Sequence, residues 1–131
     1  MADTEKITIN LSVVDLGRID LLVEQGFYST RTDFIRTAIR NQLDSHNREI
    51  QETVARKAMV VGVIAYDAGD LEEKRYRNEM LDIRAVGMLI LEKDVTPELA
   101  LATISSISVL GVFKASDEVI DALKRENVLK Y

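Results

Sequence analysis

Residues Lys6-Ile7-Thr8-Ile9-Asn10-Leu11 alternate polar and apolar side chains without a break, and no second segment of that kind lies within hairpin distance. A period of two sends Ile7, Ile9 and Leu11 to one face of an extended chain and Lys6, Thr8 and Asn10 to the other. A strand this short has no stability alone in water, and the residues after it carry helical spacing instead. Its partner must come from another chain. The simplest candidate is the same segment of a second copy, with one side of the pair built for a core and the other for contact.

The next forty residues support that reading. Leu16, Ile19, Leu22 and Val23 recur at helical spacing between Val13 and Gln25, with Ser12 as N-cap and Gly26 placed to end the helix in a left-handed turn. Thr30-Arg31-Thr32-Asp33 has the form of a capping box, and Ile35, Ala38, Ile39 and Leu43 continue an apolar stripe behind it. The expectation is one strand and two helices joined by a glycine turn.

That order, with Gly26-Phe27-Tyr28-Ser29-Thr30-Arg31-Thr32-Asp33-Phe34-Ile35-Arg36-Thr37-Ala38-Ile39-Arg40 as its most specific stretch, resembles the ribbon-helix-helix DNA-binding proteins of the CopG, Arc and MetJ class. The resemblance covers residues 5 to 46. It implies that two strands pair antiparallel across a dimer axis and that the ribbon enters a major groove, where its outward side chains meet base edges. By position those are Lys6, Thr8 and Asn10. Lysine donates to guanine, asparagine bonds adenine at two atoms, and threonine bonds a base or touches a thymine methyl. The start of the second helix offers free amides and the positive end of a dipole, so Ser29, Thr30 and Arg31 are the candidates for holding a DNA phosphate. Arg36 and Arg40 are expected on the solvated face, paired with carboxylates such as Asp33 or Asp44.

Charge opposes tight binding by one dimer. The whole chain carries −5, and residues 1 to 50 hold six basic and eight acidic side chains, a net of −2. Counterion release needs several cations on one surface, so operator binding is expected to rely on several dimers side by side.

The 131 residues contain no cysteine and one histidine, His46, in the polar stretch Asp44-Ser45-His46-Asn47-Arg48. No Cys/His pair, paired-histidine metal motif, phosphate-cradling glycine loop or nucleophile elbow is present, so neither catalytic nor metal-binding residues are expected and no cofactor is implied. Nickel-responsive members of the resembled class bind metal through histidines and a cysteine that this tail cannot supply. The longest apolar run, Ala58 to Tyr66, is far below the roughly 20 residues of a membrane span. Without the basic and apolar blocks of a signal peptide, a cytoplasmic protein is expected.

Residues 47 to 57 read as a partly helical linker between a DNA-binding and dimerisation domain, residues 1 to 46, and a small α/β domain, residues 58 to 131. In the latter, Met59-Val60-Val61-Gly62-Val63-Ile64, Arg84-Ala85-Val86-Gly87-Met88-Leu89 and Ser108-Val109-Leu110-Gly111-Val112-Phe113 each centre apolar residues on a glycine, 25 and then 24 positions apart. A helical stretch follows each: Gly69 to Met80, Thr96 to Ile104 behind a Thr96-Pro97 start, and Ser116 to Arg125. Three strand-helix repeats stacked as a short solenoid are expected, the glycines allowing close approach of neighbouring coils, with an ACT or ferredoxin-like sandwich as the alternative. Three strands leave two open edges, for which another subunit is the expected cover.

The functional expectation is a homo-oligomeric transcriptional repressor that binds double-stranded DNA as a dimer, extended to a tetramer or longer array; no effector can be named. Two other readings stay open: an antitoxin-like autoregulator with a tail that folds on its target, and a scaffold that uses the ribbon only to dimerise and polymerises through its tail.

Overall fold

The computed structural model describes residues 4–130. The chain divides into two compact units, Thr4–Thr53 and a second from Val54 onward.

In the first unit, residues 4 to 12 are extended and lead into α1, Val13–Glu24, where the Ser12 side chain accepts from the Asp15 amide at 3.0 Å. Gly26 takes a φ of +85°, and the amides of Gly26 and Phe27 return to the carbonyls of Val23 and Leu22. A side chain there would be strained, which is why this turn uses glycine. The next helix, α2, runs Arg31–Ser45. Its Thr30 hydroxyl accepts from the Asp33 amide at 3.0 Å, while the Asp33 carboxylate accepts from the amide and hydroxyl of Ser29 rather than from the Thr30 amide. The expected box therefore closes one residue early. After a single break at His46, α3 spans Asn47–Arg56, so the connector is helical almost throughout.

The second unit alternates strands and helices: β1 Val60–Tyr66, α4 Ala68–Tyr76, β2 Leu81–Leu91, α5 Pro97–Thr103, β3 Ile104–Lys114, α6 Asp117–Arg125 and β4 Leu129–Lys130. Side chains of Asp67, Thr96 and Ser116 cap the three helices, and Asp67 with Asp70 makes a complete capping box. All pairings are parallel and the strand order is β1-β2-β3-β4. This replaces the ferredoxin-like alternative, whose sheet requires antiparallel neighbours, and β4 adds a strand beyond the three expected. Every new strand adds on the same side, and the connecting helices pack side by side on one face, α4 against α5 and α5 against α6. Leu71, Leu99, Val119 and Leu123 from these helices form a single core with Ile83, Leu89 and Ile107 from the sheet. Thr103, the buried polar residue there, donates to the Leu99 carbonyl at 2.7 Å.

The three glycines lie in one row across the sheet, Gly62 beside Gly87 and Gly87 beside Gly111, with φ of +142°, +135° and +124°. A Cβ on Gly87 would drive into the Gly62 carbonyl, 3.1 Å from its carbon, and one on Gly111 would meet the Gly87 carbonyl in the same way at 3.0 Å. β2 and β3 thus each seat a carbonyl of the strand before them, the close approach expected from the sequence.

Candidate nucleic-acid interface

Every residue from Thr4 to Leu11 is exposed, and none of them takes part in regular secondary structure. Lys6, Thr8 and Asn10 face solvent, but so does the apolar row: Ile7 is 74% exposed and Ile9 62%. The segment neither folds back on its own unit nor hides its polar row.

The rest of the unit has the same deficit. Ile19 is the one buried apolar side chain among the described residues of Thr4–Thr53, while Val14, Leu21, Phe27, Ile39 and Leu43 stand exposed. An open hollow between α1 and α2 is lined by Ile19, Leu22 and Phe34 with Asp15 and Arg18 at its rim. Fifty residues with one buried apolar side chain cannot offset the entropy of folding, so these surfaces call for a second chain.

The N-terminus of α2 is built as follows. Ser29 and Asp33 bond each other, Thr30 caps, and Tyr28 packs edge-on against Phe34 with ring centres 5.0 Å apart. The amides of Arg31 and Thr32 have no acceptor among the described residues, which leaves two donors at the positive end of the helix. Arg31 has a partner that the sequence reading did not include. Its guanidinium forks onto Asp20 of α1, Nε to Oδ1 at 2.7 Å and Nη2 to Oδ2 at 2.8 Å, and so ties α1 to α2. The hydrogen bond from Arg31 holds the Asp20 carboxyl below its ordinary range, and the same bond raises the arginine further. Eleven residues separate the pair, too far for a helix-spacing rule to find it. Arg36 and Arg40, expected to pair with carboxylates, end in solvent without an ion-pair partner among the described residues.

An extended, unpaired segment with one polar and one apolar row precedes two capped helices joined by a glycine turn, the order that the ribbon-helix-helix resemblance requires. The chain matches the model of the ribbon-helix-helix transcriptional regulator family over residues 2–120. It belongs to that family. The match continues well past the stretch legible as ribbon-helix-helix in the sequence, through β1, β2 and β3 and into α6, so the strand-helix unit is part of the same family architecture. No curated protein and no solved structure matches the chain.

Among the described residues no group of histidine, cysteine and carboxylate side chains is spaced to hold a metal ion, and no helix is long and apolar enough to cross a membrane.

Proposed function

We propose that this ribbon-helix-helix protein is a sequence-specific repressor that binds double-stranded DNA as a homodimer, its paired N-terminal segments lying in a major groove. The observation that carries the reading is the bare segment itself. Pairing two copies buries Ile7, Ile9 and Leu11 against the exposed apolar faces of α1 and α2 and leaves Lys6, Thr8 and Asn10 projecting as a row. Lys6, Thr8 and Asn10 read bases; the hydroxyls of Ser29 and Thr30 and the open amides at the start of α2 hold a phosphate and set the register. With its fork on Asp20, Arg31 supports that phosphate site by fixing the helix start, and its remaining donors add positive charge beside it.

Each dimer offers few cations, so several dimers bind adjacent half-sites and the C-terminal units hold them together. The antitoxin-like reading is disfavoured by the continuous core of the C-terminal unit, which needs no target to fold. Selection of bound sequences from a random DNA pool at stated salt tests the proposal. Enrichment of a repeated short half-site is the expected result, and a pool without sequence preference at every salt would refute base reading.

A further inference from the structure

We propose that the two open edges of the C-terminal sheet fit each other, so that copies of this chain join head to tail with β1 of one copy adding to β3 of the next as a further parallel strand. The chain already contains this junction twice. At β1–β2 and at β2–β3, a glycine with φ near the same positive value receives the carbonyl of the preceding glycine where a Cβ would otherwise stand. Gly62 keeps that backbone shape, φ +142°, with nothing within 4 Å of its Cβ position. By the same geometry its open side faces outward from the sheet, and the Gly111 carbonyl at the far edge points outward in turn. One edge carries the seat and the other carries the group that fills it.

The register agrees. Among the described residues β4 pairs only with Ile107 and Ser108, and no described strand lies beside β3 from Val109 to Lys114 on that edge. Val60 lies opposite Ala85 and Ala85 opposite Val109, so the same register sets the next copy's β1, which starts at Val60, beside Val109, beyond the pairs that β4 makes among the described residues. Leu110 then neighbours Val61 and Val112 neighbours Val63, covering exposed side chains at both edges. A pairing of β1 with β1 brings no Gly111 carbonyl to Gly62 and repeats neither of the junctions within the chain, so the occupant is the β3 edge of a second copy. The join is heterologous and extends into a ring or a filament according to its rotation. It involves none of the residues assigned to DNA.

The chain lacks cysteine, which makes crosslinking a clean test. Within one copy Val61 and Leu110 are separated by β2, about 10 Å, beyond disulfide reach, whereas the join brings them onto adjacent strands about 4.8 Å apart. Mild oxidation of the double variant Val61→Cys/Leu110→Cys, without DNA, is expected to give a ladder extending past the dimer on a non-reducing gel, with neither single variant doing so. Absence of the ladder, or an equal yield of dimer from Val61→Cys alone, overturns the proposal. Sedimentation of the unaltered protein provides a readout independent of any variant's folding. Mass rising past the dimer with concentration is expected, and a mass fixed at the dimer refutes the join whether or not DNA is read.

Discussion

Placing a methyl group on Gly87 tests the carbonyl row on which the C-terminal sheet is built. Two effects add at this position. A non-glycine residue held at φ +135° carries backbone strain of about 1–3 kcal/mol. In addition the new Cβ meets the Gly62 carbonyl, a backbone group that cannot rotate away, so β1 and β2 must separate locally, an overpacking cost of about 1–3 kcal/mol. Gly62→Ala is the internal control, since it carries comparable strain with no atom within 4 Å of its Cβ. The difference between the two variants isolates the steric part, about 1–3 kcal/mol in favour of Gly62→Ala. Urea titration followed by far-UV circular dichroism, at one low protein concentration for both variants, measures it as a shift in midpoint at unchanged slope. Equal destabilisation by the two substitutions would refute the argument that Gly87 is there to seat a carbonyl.

Asn10→Ala is expected to weaken binding to the selected site by about 1–3 kcal/mol, with the circular dichroism spectrum unchanged; fluorescence anisotropy against matched and mismatched duplexes checks it, and an unaltered site preference counts against base reading. Ile9→Asp is expected to abolish pairing of the N-terminal segments, since burial of each isoleucine contributes about 1.5–3 kcal/mol and occurs twice per dimer; sedimentation at a concentration low enough that the unaltered protein is no larger than a dimer should show a monomer, whereas Thr8→Ala should retain the dimer. Asp20 and Asp82 both have lowered carboxyl pKa, the first through the hydrogen bond from Arg31 and the second through bonds from Ser106 and Arg84. A group lowered on folding stabilises the fold above its unfolded value of 3.8 and loses that contribution as pH falls through the folded value, so the thermal midpoint should be level from neutrality to about pH 5 and fall in more acid solution. Asp20→Asn should make that acid fall shallower, and an unchanged slope would remove the Asp20–Arg31 fork as a stabilising contact.

Much of the local structure was open to inspection in the chain. Ser12, Thr30, Thr96 and Ser116 all cap the helices expected of them, because a cap depends on a side chain and an amide three positions apart. The unpartnered alternation of residues 6 to 11 was equally legible, since a period of two needs no knowledge of the fold. The Asp67–Asp70 box was missed although its signal is as local as the others. Two-residue β4 carries no alternation at all; it exists because α6 delivers the chain beside Ile107 and Ser108.

The amino-acid sequence by itself determined that this chain carries a ribbon-helix-helix segment whose alternating strand has no partner within the chain and that three glycine-centred strands follow, since periodicity, capping and spacing act over a few residues. Only the tertiary structure decided that the strands run parallel in sequence order, that the glycines align so that Gly87 and Gly111 each receive the preceding glycine's carbonyl, and that Arg31 is held by Asp20. These depend on register and on contacts between residues far apart in the chain, which are set by packing the whole unit at once.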